Sequence, residues 1–173
     1  LSKIKTDDRD AEMLARLGRS DQSLLSAVSH KPLQARLDLL EIKARDGIVR
    51  IRTCLTNQVR GLVKSFGERI PSCSPETFPK VARTTLSRKL IGAVRELLAV
   101  HVTLTKKIKI YDRKIEKIAN KRYAEPVRKL RKIRGVGPIT ALAFVLTIGD
   151  PDRFKKSKDV GPYLGLVPRR KQS

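Results

Sequence analysis

The chain has 173 residues, with 39 Lys and Arg against 17 Asp and Glu, a formal net charge of +22 at pH 7. So large an excess goes beyond surface solvation and predicts a polyanionic partner, with nucleic acid the first choice. An acidic membrane surface is the second choice, but no run of about 18 apolar residues exists to span a bilayer, and the polar N-terminus lacks a signal-peptide pattern. Cys54 and Cys73 show no CxxC or Cys/His zinc spacing, so free thiols in a cytoplasmic protein are expected. With no Trp, 4 Phe and 3 Tyr, the chain lacks the stacking platforms of single-strand readers. Leu1 is not a start methionine, and the chain reads as a piece of a longer protein.

Thr6 reads as the N-cap of a first helix, with Asp7 and Asp8 in a first turn where they favour the helix dipole. Asp7 and Asp10 stand three apart, which puts them on one helical face. Two carboxylates so placed can hold a divalent metal, Mg²⁺ above all, but acidic residues also begin helices for structural reasons alone. Residues 18–32 read as a connection. From Leu33 the positions Leu37, Leu40, Ala44, Ile48, Ile51, Leu55, Val59, Leu62 and Phe66 follow steps of 4, 3 and 4. That eleven-residue repeat predicts a long, nearly straight helix stopped by Gly67.

Residues 67–84 carry Gly67, Pro71, Pro75 and Pro79, and read as a loop with at most a short helical turn. Leu90, Val94, Leu97, His101, Leu104, Ile108, Tyr111, Ile115 and Ile118 then alternate steps of 4 and 3, a heptad seam. His101 on that seam reads as structural. The two long helices are expected to pair antiparallel, stripe against seam, and to leave apolar surface for a second copy of the chain. Glu125-Pro126 is expected to end the second helix.

Arg131-Lys-Ile-Arg-Gly-Val-Gly-Pro138 then reads as a basic helix, a reversal at Gly135 and Gly137, and an apolar helix opened by Pro138. Such a helix–hairpin–helix can offer backbone N–H groups to a phosphate, with Lys132 and Arg134 adding charge; a plain turn between helices has the same pattern. Gly149 closes the apolar helix, Asp150-Pro151 makes a turn, and Ser157 reads as the cap of a short helix. Arg169, Arg170 and Lys171 form a cationic cluster before Ser173. No stretch alternates with a period of two, so the fold class is mainly α: a long antiparallel, coiled-coil-like hairpin, then a small domain containing the helix–hairpin–helix.

Three stretches together carry a family resemblance. Lys5-Thr-Asp-Asp-Arg-Asp-Ala-Glu-Met-Leu-Ala15 follows the pattern K-T-D-x-x-D-A-x-x-L-A. Ile133-Arg-Gly-Val-Gly-Pro-Ile-Thr-Ala141 and the stretch from Ser157 to Pro168 fit a second, downstream domain. In this order they resemble the DEDD-type insertion-sequence transposases, a class in which some members use a bridge RNA to choose their DNA sites. The resemblance implies that residues 1–32 are the end of a RuvC-like nuclease domain plus a connection, 33–122 a coiled-coil region, and 123–173 the start of the C-terminal transposase domain. It implies that Asp7 and Asp10 are the last two of four acidic ligands for Mg²⁺, the first two lying upstream of Leu1. It also implies a nucleophilic serine five residues after Pro168, which is Ser173, beside Arg169, Arg170 and Lys171.

The function expected is therefore DNA transposition: binding DNA, cleaving strands and rejoining them. The partners are DNA, a guide RNA and further copies of the chain, and this piece by itself is expected to be inactive. The alternative is a non-catalytic basic helical module that binds nucleic acid through its phosphates. A structural coiled-coil adaptor is disfavoured, because adaptor helices mix charge signs more evenly.

Overall fold

The computed structural model describes residues 7–20 and 30–166. The chain divides into two units, Leu1–Lys31 and Pro32–Ser173. In the first, helix α1 covers Asp7–Ser20. It runs through Gly18 and so extends past the expected start of the connection. Glu12 and Arg16 pair one turn apart, and the Ser20 hydroxyl donates to the Arg16 carbonyl. Thr6, the expected cap, lies outside the described residues.

The second unit is built on two long helices, α2 (Leu33–Lys64) and α4 (Arg88–Arg122). They run antiparallel, as the side-chain contacts between them demonstrate. Arg45 meets Asp112 at 2.9 Å, Arg52 meets Thr105 at 3.4 Å, and Thr56 meets His101 at 3.1 Å. Each step of seven or four residues up α2 is matched by the same step down α4. On α4 the buried face holds Val94, His101, Ile108 and Ile115 of the expected seam, with Leu98 and Ala119 one position along from its Leu97 and Ile118.

On α2 the expected stripe meets that seam only at Leu55 and Val59, which are buried. The face turned inward is Asp38, Ile42, Arg45, Val49, Arg52, Thr56, Val59 and Val63, itself a heptad pattern. Leu33, Leu40 and Ile51 of the expected stripe are 69%, 58% and 57% exposed, and Phe66 is 73% exposed. Away from Leu55 and Val59, the inward face lies one position along from the apolar stripe, a rotation of about 100°. The reason is electrostatic. Three seam positions hold charged residues whose partners sit on or beyond α4, so counting apolar residues aims the helix wrongly.

Two apolar clusters flank the polar middle of this hairpin. One joins Val59, Val63, Ile70, Phe78, Ala82, Leu86, Val94 and Leu98 at the closed end. Here a short helix, α3 (Phe78–Thr85), folds in where mostly loop was expected, driven by burial of Phe78 and Ala82. Gly67 ends the α2 turn with φ of 81°, a conformation that favours glycine. Arg60 pins the loop by donating to the carbonyls of Ile70 and Pro71 at 2.7 and 2.9 Å. Glu68 accepts from the Ser87 backbone N–H at 2.8 Å, capping α4 from outside.

The other cluster joins Ile42, Ile115, Ala119 and Val127 to Ala141, Leu142 and Leu146. It docks α5 (Ala124–Arg131) and α6 (Pro138–Ile148) against the open end of the hairpin. Helix α4 ends at Arg122 rather than at Glu125-Pro126. Tyr123 breaks it, and Pro126 falls in the first turn of α5, where its missing N–H is no loss. Asp38, 2% exposed, ties the joint: it accepts from Gln34, from Arg122 and from the Tyr123 hydroxyl. Gly149 closes α6 with φ of 71°, and the Asp150 side chain accepts from the Asp152 N–H in the turn that follows. Two 3-10 turns, Pro151–Arg153 and Ser157–Asp159, lead to α7 (Val160–Tyr163). Ser157 begins its turn instead of capping it, since Lys156 holds the cap position. Among the described residues there is no strand, and no helix long and apolar enough to cross a membrane.

Candidate nucleic-acid interface

The reversal between α5 and α6 is built residue by residue. Ile133 N–H donates to the Leu130 carbonyl at 3.0 Å, which tightens the end of α5. Val136 N–H donates to the Ile133 carbonyl at 3.1 Å, closing a turn over Arg134 and Gly135. Gly135 takes φ of 88°, so a side chain there would be strained. Gly137 is different. Its φ is −81°, ordinary for any residue, and a Cβ added there would meet nothing within 4 Å. Backbone strain therefore calls for glycine at one of the two positions only. At Gly137 the missing side chain leaves the N-terminus of α6 open. That helix has no side-chain cap, and its first N–H groups have no partner within the helix.

Cations surround this open end. Arg131, Lys132 and Arg134 are exposed and form no ion pair among the described residues. Arg128 and Lys129 share Glu125, at 2.6 and 3.5 Å. The hydrogen bond from Arg128 holds the Glu125 carboxyl below the usual range. A groove beside the turn is lined by Asn120, Ala124, Val127, Arg128, Arg131 and Lys132. Between residues 106 and 134 the sequence carries 13 Lys and Arg against 3 Asp and Glu. The chemistry on offer is anion binding: charge, guanidinium forks and free backbone donors.

Asp7 and Asp10 lie in the first turn of α1, exposed and on one face. Mg²⁺ takes six oxygens in a near-octahedral shell, and two carboxylates fit as part of such a shell. No group of three or more metal-capable side chains exists among the described residues, so the pair is at most part of a site. Ser173, Arg169, Arg170 and Lys171 lie outside the described residues. The structure thus gathers Lys132, Arg134, Gly135 and Gly137 in one turn and places Asp7 and Asp10 on a separate unit.

His101 is a core residue. Its ring is fully buried, packs on Phe78 at a centroid distance of 5.2 Å, and its Nε2 bonds Thr56. Burial lowers its pKa, and the Arg52 charge adds to the shift. Sequence reasoning missed Arg52, Asp38 and Asn120. The seven-residue spacing of Arg45 and Arg52 on α2 was the available signal for the first.

Comparison with known proteins adds a second line of observation. Residues 127–173, which begin in α5, match the model of the Transposase IS116/IS110/IS902 family. The chain is 26% identical over 98% of its length to the transposase for insertion sequence element IS1111A of Coxiella burnetii, covering 47% of that protein. It is 29% identical over 96% of its length to a Pseudomonas aeruginosa protein named "Probable family 20 transposase", covering 50% of it. Over 74% of its length it is 29% identical to the transposase for insertion sequence element IS1328 of Yersinia enterocolitica, covering 39% of that protein. The chain spans about half the length, or less, of these curated relatives. No solved structure matches it.

Proposed function

We propose that this chain is part of an insertion-sequence transposase, a cytoplasmic protein that binds DNA and catalyses its cleavage and rejoining. One observation carries the reading: the likeness to named transposases runs over nearly the whole chain, through the long hairpin as well as the family match at 127–173. The net charge of +22 and the open cationic turn supply the affinity for phosphates that such a protein needs. In this reading Lys132 and Arg134 neutralise backbone phosphates, while the N–H groups at Gly135 and Gly137 face the same anion. The finer reading is of the DEDD, RuvC-like class served by a guide RNA.

Asp7 and Asp10 then supply two ligands to Mg²⁺, with the others coming from the rest of the longer protein. When bound, the ion offsets charge that builds on a phosphate under attack. Ser173 supplies the nucleophile. Its Oγ loses a proton and bonds phosphorus as the bond to a sugar oxygen breaks, and that oxygen leaves with a proton. Arg169, Arg170 and Lys171 neutralise the phosphate during that exchange. The net charge of +22 and the long helices serve equally well a second reading, a non-catalytic module that binds nucleic acid through its phosphates.

The full-length protein decides between them. On a nicked substrate that traps the covalent intermediate, the unaltered protein should give a protein–DNA adduct. Ser173→Ala should give none, and Asp10→Asn should suppress it while leaving DNA binding within about twofold, since a lost metal ligand is not a lost phosphate contact. An adduct that survives Ser173→Ala places the nucleophile elsewhere. No adduct from any form, with binding intact, favours the module.

A further inference from the structure

We infer that the outer flank of α4, continuing into the groove at the α4–α5 joint, is a track for the phosphodiester backbone of a double helix. The inference rests on the nucleic-acid reading above and adds the flank of α4, a surface that meets the hairpin turn only in the groove beside Arg131 and Lys132. Lys106, Lys109, Arg113 and Lys117 follow one another in steps of three and four residues. On a helix such steps make a row, each side chain about 4.5 to 6 Å further along the axis. All four are exposed, and none forms an ion pair among the described residues. Arg113 spends only its Nε, on the Lys109 carbonyl at 3.3 Å. The row runs on to Asn120, which lines the groove together with Arg131 and Lys132.

The fold sorts the charges so that this flank stays positive. Asp38 and Glu41 of α2 take Arg122 and Lys114 of α4, and Asp112 takes Arg45. Those pairs all lie where the two long helices meet, so their carboxylates are used up on the inner side. On the outer flank the one acid is Glu116, three residues after Arg113 at the edge of the row. The flank also carries no aromatic residue; Tyr111 packs with the core cluster instead. A single strand would find no stacking platform there. A stiff helix with regularly spaced cations suits a stiff, regularly charged duplex. From Lys106 to Asn120 the row is about 21 Å long, or roughly six base pairs at 3.4 Å each.

The test titrates the chain with a DNA duplex, the matching RNA duplex and either single strand, over a range of salt. Replacing Lys106, Lys109, Arg113 and Lys117 together by Gln keeps good helix formers at exposed sites. It should reduce the log–log salt slope by about 3, at 0.7 to 0.9 per lost contact. Glu116→Gln should tighten binding, a change that no purely structural role produces. As a check free of substitutions, Lys106, Lys109 and Lys117 of the unaltered chain should be shielded from acetylation by bound duplex. The duplex that binds more tightly identifies the source of the backbone. An unchanged slope, unshielded lysines, or tighter binding of a single strand overturns the track while leaving the hairpin reading intact. A parent chain that binds no nucleic acid in a salt-dependent way removes the nucleic-acid reading itself.

Discussion

Thr56 has one hydroxyl proton, and it goes to the Arg52 carbonyl at 2.9 Å. Thr56 therefore accepts from His101, which assigns the imidazole as the Nε2–H tautomer. The other ring nitrogen, Nδ1, is buried without a hydrogen-bond partner among the described residues, and so is Nε of Arg52. Protonating Nδ1 would bury a second positive charge beside Arg52, with only Glu76 to oppose it. The pKa of His101 is lowered in the fold, so the stability tied to its neutral form is present above about pH 6.5, its unfolded value, and is lost as pH falls below it. Urea unfolding midpoints should accordingly fall between about pH 7.5 and pH 5.5. His101→Gln, which still offers Thr56 an N–H, should flatten that fall; a slope that persists unchanged would place its origin elsewhere. The period of the sequence located His101 correctly. It could not reveal Arg52 or Asp38, because a charged residue on a seam makes sense only once its partners are known. Thr105 lies 53 residues beyond Arg52, and Arg122 lies 84 beyond Asp38.

At the scale of elements, α4 was legible and α2 only half so. A heptad of mostly apolar residues has one reading, and α4 follows it. Helix α2 carries two patterns at once, and the wholly apolar one faces outward except at Leu55 and Val59. Leu33, Leu37, Leu40, Ile51 and Leu62 form a stripe along the exposed side of α2, and exposed Phe66 follows in the turn after it. A stripe of that length in water is a surface for association, and a second copy of the chain is the partner expected from the sequence. Leu37→Lys with Leu40→Lys should then shift the chain from dimer to monomer in sedimentation at about ten micromolar, a concentration that probes affinities near 7 kcal/mol. Helix content should stay unchanged, because both side chains already face solvent. Val59→Asp, at a fully buried position, should instead cost several kcal/mol and unfold the hairpin. An unaltered chain that sediments as a monomer at tens of micromolar would leave the stripe without this role.

For the molecule as a whole, charge was the most reliable message in the sequence, and its arrangement the least. A count of Lys and Arg does not say which are consumed by pairing. The fold answers that by setting Asp38, Glu41 and Asp112 against Arg122, Lys114 and Arg45, and by leaving Arg131, Lys132 and Arg134 without an ion pair among the described residues, around a helix start with no side-chain cap. The shared face of Asp7 and Asp10 follows from their spacing, while their role as ligands and that of Ser173 as nucleophile rest on the resemblance, since each depends on groups that the described residues do not bring together. The hairpin can be tested alone. As proposed phosphate contacts, Lys132 and Arg134 should be needed for binding to all sequences alike. Lys132→Ala with Arg134→Ala should lower the log–log salt slope by about 1.5, two contacts at 0.7 to 0.9 each. Gly135→Ala should add its own loss by straining the turn at φ of 88°. Gly137→Ala fits the backbone without strain, so any loss of affinity there would come from its methyl group obstructing the α6 N-terminus. Equal binding by Gly137→Ala and the parent, with a reduced slope in the lysine–arginine pair, would assign the contact to side chains alone. Unchanged binding in all three variants would remove the hairpin from the interface.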